Sequence, residues 1–255
     1  MNLRPTLTAS LLCLALAPLA ASSQQAPIEI HDRLLPSAAT PALAVALTLD
    51  ACSGAYDGPL IEFLIRHRIP ATIFATKKWL DRNPIGLATL KAHLDLFDIE
   101  DHGENHIPAV IGAGRKVYGI AGEPDLIHLR REVLAGAEAV ESATGIAPRW
   151  YRGATAEYDP QAMAEINRLG YRIAGFSINA DAGATLKKDV VAERLEHVRG
   201  GDVIIAHMNK PASGSAAGLA EGLGTLLAKG FVFIRLDQTD LEAVPEKKRQ
   251  KETGK

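Results

Sequence analysis

Two histidines four residues apart, in His102-Gly103-Glu104-Asn105-His106, are the sharpest chemical feature of the chain. On a helical turn, residues at i and i+4 share a face, so both imidazoles can reach one ion. Neutral imidazoles are borderline ligands suited to zinc, cobalt or nickel. Two of them do not close a structural site, and the same spacing fits two surface histidines flanking a turn. Glu100 and Asp101, just upstream, can orient the rings. Asp50 directly follows an apolar run, so its carboxylate is either a general base or a helix N-cap. His207 ends Val203-Ile204-Ile205-Ala206, the most apolar strand of the chain. It suits a general acid, or a buried imidazole bonded to a backbone carbonyl. Arg152 follows Trp150-Tyr151. It can hold Asp50 as a charge-assisted pair, or stack on those aromatics at the surface. Asp181, two residues before Gly183, can orient His207 or Arg152, or simply make a turn. Cys52 invites a nucleophile reading with His207 as its base. A lone thiol beside the small residues Ser53-Gly54 reads instead as a packed side chain.

These residues need elements to bring them together. Ala44–Leu49, Ile69–Phe74, Phe97–Glu100, the segment reaching Tyr151, Tyr171–Ile178, Asp202–Ala206 and Phe231–Leu236 read as short strands. Between them lie helical stripes. They begin at Asp57-Gly58-Pro59 and at Asn83-Pro84, span Leu126–Thr144, follow Pro160, and cover 188–199 and Ala216–Lys229. Alternating strands and helices argue for parallel strands with helices outside, either an open doubly wound sheet or a barrel. Active sites of such folds lie at the carboxyl ends of the strands. Asp50, His102 with His106, Arg152, Asp181 and His207 all fall at strand ends. Residues 107–124 are glycine-rich and aperiodic, a long loop of the kind often used for function. No Gly-x-Gly-x-x-Gly or phosphate-binding loop is present, which weakens nucleotide-binding readings.

The chain has 255 residues, of which 47% are apolar and 23% charged, an ordinary globular composition. A net charge of −2 gives no electrostatic case for a nucleic-acid partner. Arg4, then apolar Leu7–Ala21, then small residues make residues 1–22 a secretory signal peptide. That apolar run is short for a span, which needs about 20 residues, and Pro18 interrupts it. The expectation is therefore an exported protein, periplasmic or secreted, with no stable membrane insertion after cleavage. Residues 23–41 read as a flexible leader, 42–240 as the domain and 241–255 as a charged disordered tail. Cleavage removes Cys13 and leaves Cys52 with no partner for an internal disulfide.

Thr48-Leu49-Asp50, His102–His106, Tyr151-Arg152-Gly153, Asn179-Ala180-Asp181 and Ile205-Ala206-His207 stand in an order that resembles the polysaccharide deacetylase family with its NodB-type homology domain. The resemblance covers about residues 42–236. It implies a distorted (β/α) barrel of about seven parallel strands, of the NodB/glycoside hydrolase-deacetylase type. It implies a divalent metal, usually zinc, and hydrolysis of an N-acetyl, sometimes O-acetyl, group on an amino sugar of a poly- or oligosaccharide. In the roles it implies, Asp50 is the general base and His207 the general acid, and His102 and His106 ligate the metal. Arg152 orients Asp50, and Asp181 supports the Arg/His network.

Two departures bear on the chemistry. The family's first motif usually has a second Asp, the third metal ligand, where this chain has Ala51. Asp57, the next carboxylate, is then either a replacement ligand or a helix N-cap. Otherwise the metal is held by two histidines and water, or by Asp50 as both ligand and base. In the second departure, Gly153-Ala154 follows Arg152 where proline is common in the family, which leaves the groove wall and substrate choice open. Aromatic residues make up only 5% of the chain, little for a long sugar-stacking groove. Two other readings stay open: a hydrolase of cyclic amides that relies less on metal, and a carbohydrate-binding protein whose first motif has decayed.

Overall fold

A computed structural model describes residues 25–244; the segment read as a signal peptide and most of the charged tail lie outside them. The strands in chain order are β1 (Ile28–Glu29), β2 (Asp32–Leu34), β3 (Ala44–Ala51), β4 (Ala71–Ala75), β5 (Phe97–Asp101), β6 (Lys116–Val117), β7 (Ile120–Ala121), β8 (Trp150–Tyr151), β9 (Glu157–Tyr158), β10 (Arg172–Ile173), β11 (Ile178–Asn179), β12 (Val203–His207), β13 (Val232–Ile234) and β14 (Leu241–Ala243). The α-helices are α1 (Gly58–Arg66), α2 (Lys77–Arg82), α3 (Pro84–Lys91), α4 (Leu126–Thr144), α5 (Pro160–Arg168), α6 (Lys188–Glu196) and α7 (Ser215–Ala228).

The main sheet has eight strands, seven in the series β10-β8-β5-β4-β3-β12-β11, with β13 against the first half of β3. Every pair in it is parallel, and the sheet curls into an open barrel, the distorted (β/α) barrel expected. β3 sits at the centre and is buried along its whole length, as a parallel strand covered on both faces must be. Successive side chains point to opposite faces. Val45, Leu47, Leu49 and Ala51 join the large apolar cluster with Leu60, Ile61 and Leu64 of α1 and Leu219, Leu223 and Leu226 of α7. Ala44 and Ala46 face the other way, into a smaller cluster with Phe74, Trp150, Phe176 and Ile205. Beyond Ala46 that inner face turns polar, and there the site begins.

Local chemistry fixes the helix ends. Asp125 accepts from the backbone N–H groups of Ile127 and His128 at the start of α4. Gly145 closes α4 with φ +77°, a left-handed conformation that glycine adopts without steric cost.

Three expectations change. The single strand over Tyr171–Ile178 is two short strands, β10 and β11, at opposite edges of the sheet. Residues 23–41 are not simply a flexible leader: β1 pairs with β9 and β2 with β14. Asp32 N–H donates to the Phe176 carbonyl at 3.1 Å, and Gly175 N–H to the Asp32 carboxylate at 2.9 Å. The segment thus supplies partners to backbone between the sheet's two edges that would otherwise lack them. Within the stretch read as a tail, β14 belongs to the fold through its pairing with β2. The 107–124 stretch carries the small hairpin β6–β7.

Candidate active site

Strand alternation builds the site. On β3 and just past it, Thr48, Asp50 and Cys52 share the inner face; on β5 and just past it, Asp98, Glu100 and His102 do the same. The parallel register sets His207 of β12 level with Asp50. Five loci far apart in sequence therefore meet at one end of the barrel.

Arg152 is fully buried. Its Nη1 donates to Asp50 Oδ1 at 2.9 Å and to Thr48 Oγ1 at 2.9 Å, and Nε and Nη2 donate to the carbonyls of Ala174 and Gly175. The guanidinium lies 4.2 Å from the Phe74 ring centroid. It is not the surface arginine stacked on Trp150; Arg172 occupies that place, 3.9 Å from the Trp150 ring. Burial pushes the Asp50 carboxyl up, but Arg152, His102 and His207 outweigh it and hold Asp50 below the usual carboxylate range.

His102 and His106 do not lie on a helix. Gly103 (φ +85°) and His106 itself (φ +65°) turn the chain, and the turn sets the two rings 4.9 Å apart, edge to face. His102 Nδ1 lies 2.5 Å from the Arg152 carbonyl, so Nδ1 keeps its proton and Nε2, the nitrogen that can give one up, points toward Cys52. Nε2 is 3.6 Å from Cys52 Sγ and 3.8 Å from Asp50 Oδ2. Burial lowers the His102 pKa, yet the charge on Asp50 and the contact with Cys52 push it up to about 9. That negative field also favours a bound cation.

Glu100 and Asp101 do not orient the imidazoles. Glu100 accepts from Arg149 and Trp150 N–H at 2.7 and 2.8 Å. Asp101 faces α4 and accepts from Gly103 N–H at 2.8 Å. The loop is held instead by Glu132 of α4, a residue that nothing in the sequence singles out. Its Oε1 accepts from the N–H groups of Asn105 and Ile107, on either side of His106.

His207 Nδ1 lies 2.8 Å from Asp181 Oδ1, and His207 N–H donates to Asp181 Oδ2 at 2.9 Å. Ser215 Oγ also donates to Asp181 Oδ2. Burial opposes charge on His207, but Asp181 and Cys52 raise it well above an ordinary histidine. Asp181 is held below its usual range, because its bonds to His207 and Ser215 outweigh burial.

Asp57 stands apart. It is buried and accepts from Leu60 N–H at 3.2 Å, which makes it the N-cap of α1 and not a metal ligand. Cys52 is the residue that sequence underrates. It is buried, but its neighbours are imidazoles rather than the apolar packing expected of a lone thiol. Burial pushes its thiol up, and hydrogen bonds with His102, His106 and His207 outweigh that and hold it well below the ordinary value. The signal lies in the alternation 48, 50, 52 from an inward-facing Asp50.

Ligand atoms of Cys52, His102 and His106 lie within 4.8 Å of one another, a donor set and spacing that fit a metal ion. Cys52 and His106 border a cleft of about 550 Å³ that Asp50 and His207 also line and that Tyr118 and Ile120 of the β6–β7 hairpin wall on one side.

The sequence profile of the polysaccharide deacetylase family matches residues 37–174. No curated protein matches the sequence. Among solved structures, the chain is similar to a CE4 family pseudoenzyme from Bacillus anthracis (TM-score 0.64, 17% identity, 84% of this chain and 69% of that one). It is also similar to a peptidoglycan N-acetylglucosamine deacetylase solved with a hydroxamate-type ligand (TM-score 0.64, 20% identity, 78% and 89%). A third similar structure is PdaA of Bacillus subtilis, a family 4 carbohydrate esterase (TM-score 0.60, 18% identity, 77% and 80%). A profile that covers more than half of the sequence, on a barrel shared with these structures, shows that the chain belongs to the polysaccharide deacetylase family.

Proposed function

We propose that the protein is an exported, metal-dependent hydrolase that removes acetyl groups from N-acetylated amino sugars of a poly- or oligosaccharide. One observation carries the reading. The Asp50–Arg152 pair and the Asp181–His207 pair face one cleft, with His102 and His106 beside them. His102 and His106 would hold a divalent ion, zinc by its match to imidazole donors. When bound, such an ion polarises the acetyl carbonyl and acidifies water. The chain's own residues do the rest. Asp50, kept ionised by Arg152, takes the proton of the attacking water. His207 carries a proton, and with Nδ1 engaged by Asp181 it presents Nε2–H to the departing amine. The apolar segment Leu7–Ala21 supports export. Among the described residues no helix is long and apolar enough to cross a membrane.

Ala51 favours a second reading, a glycan-binding protein without turnover, and one similar structure is named a pseudoenzyme. The test is acetate release from N-acetylated chitin and peptidoglycan oligomers by purified protein, stripped by a chelator and reloaded with zinc. The expected result is release that needs metal and is lost in Asp50→Asn. Glycan binding with no release by the zinc-loaded protein would establish the second reading. Release that survives metal removal would point to metal-independent amide hydrolysis.

A further inference from the structure

The family's third ligand is a carboxylate, and this chain has a methyl group in its place. Strand geometry makes that position unsuitable here. Ala51 points away from the cleft, into the cluster packed on the helices. The next residue that shares Asp50's face is Cys52, and its thiol points at the histidine pair.

Distances agree with ligation. Tetrahedral zinc has S and N ligands at about 2.3 and 2.0–2.1 Å, which places two such ligand atoms about 3.6 Å apart. Cys52 Sγ and His102 Nε2 are 3.6 Å apart. His102 Nδ1 is engaged by the Arg152 carbonyl, so Nε2, the nitrogen facing Cys52, is the one that can lose its proton and take a metal. The Cys52 backbone is held in turn: Thr76 Oγ1 donates to its carbonyl, and Arg82 Nη1 donates to the Ser53 carbonyl at 2.6 Å. Asp50 is tied to Arg152 through Oδ1, and the group of ligand atoms within 4.8 Å of one another holds Cys52, His102 and His106 without it, which leaves Asp50 as the base.

We propose that Cys52 is the third protein ligand of the metal, bound as a thiolate. The inference rests on the reading that His102 and His106 bind the ion. Ligation by Sγ and His102 Nε2 requires both atoms to be free of protons, so the proton that the Cys52–His102 pair shares is released to solvent. The set becomes two imidazoles and one thiolate with a fourth position open, a softer site than the carboxylate form and one that disfavours magnesium and manganese.

Cobalt loading of the full chain tests this without any activity assay. The cobalt form is expected to show an intense near-ultraviolet thiolate-to-cobalt charge-transfer band. Cys52→Ser should abolish that band and weaken zinc binding, measured by competition with a chromophoric chelator. The loss should exceed the about 10–100-fold that losing a residue which merely supports a ligand costs. Cys52→Asp should regain zinc affinity without the band. Circular dichroism melting checks that the variants are folded. If they are not, the wild type decides alone: zinc should protect the Cys52 thiol from alkylation. A cobalt form with no charge-transfer band, unchanged zinc affinity in Cys52→Ser, or a thiol that zinc leaves reactive would overturn the proposal and leave the histidine site standing. A wild-type chain that takes up no metal would overturn both.

Discussion

At Asp181 the chemistry of a single carboxylate reaches the pH profile. Its bonds to the His207 backbone and ring keep the imidazole charged far above the usual range for histidine. In kcat/KM the acidic limb should report Asp50, which must lose a proton to act as base. The basic limb should report His207, which must keep its proton to act as acid. Asp181→Asn removes the charge that favours the imidazolium. The His207 pKa then falls, and the basic limb moves to lower pH while the acidic limb stays in place. A basic limb unmoved by Asp181→Asn would remove His207 from the acid role. Asp50, His102, His106, Arg152, Asp181 and His207 are each legible as polar residues at the ends of apolar runs. Glu132 is not, because a glutamate on a helix looks alike whether it meets water or the backbone of a loop far along the chain.

Helix α4 shows how an element shapes the site. A Cβ on Gly136 would stand 2.2 Å from Asp101 Oδ1 and 2.6 Å from the Gly103 carbonyl carbon, so the helix presses directly on the loop that carries both histidines. Gly136→Ala should destabilise the protein by about 1–3 kcal/mol, despite the better helix propensity of alanine. It should also weaken metal binding. Gly224→Ala on α7 is the control: beyond the adjoining backbone of its own helix, no atom lies within 4 Å of where its methyl group would stand, and stability should rise by up to about 1 kcal/mol. Chemical denaturation of both variants would decide; a neutral Gly136→Ala would mean that the loop yields easily. The helical pattern of Leu126–Thr144 is plain from sequence, but the reason for a glycine in its middle is not. That reason is a close approach to β5, and approach distances between distant segments leave no local periodicity.

For the whole molecule, two predictions concern stability. Glu100 is buried beside Asp98, and burial first, then that neighbour, push its carboxyl up from 4.5 to about 8. Between those values the unfolded chain is ionised and the folded chain protonated. The stabilisation is therefore complete below 4.5 and lost as pH rises through about 8. Glu100→Gln stays neutral and keeps an oxygen for Arg149 and Trp150 N–H. Urea unfolding at about pH 5 and about pH 9 should show the variant gaining on the wild type by on the order of 2 kcal/mol at the higher pH. A constant difference would mean that Glu100 titrates normally. The second prediction concerns the segment whose composition reads as a leader. A chain that begins at residue 36 loses β1, β2 and the buried Leu34, and it takes away the partners of the Gly175 and Phe176 N–H groups and of the Phe176 carbonyl. Its Tm should fall by more than about 5 °C. An unchanged Tm would show that the barrel is complete without the segment.

Sequence by itself determined the alternation of strands and helices, the parallel strands with helices outside that this alternation builds, and the polar residues at the strand ends; the choice of a barrel over an open sheet came from the resemblance of the motifs. These are local properties, written in hydrophobic period and in the residue types that terminate each apolar run. Tertiary structure decided which groups meet. It made Asp57 a cap on α1, turned Ala51 into the core, and set Cys52 against His102. It also drew the segment around Asp32 across the edges of the sheet. The physical reason is the same in each case. A side chain's partner depends on strand phase, sheet curl and the packing of segments far apart in sequence, and no local pattern records these.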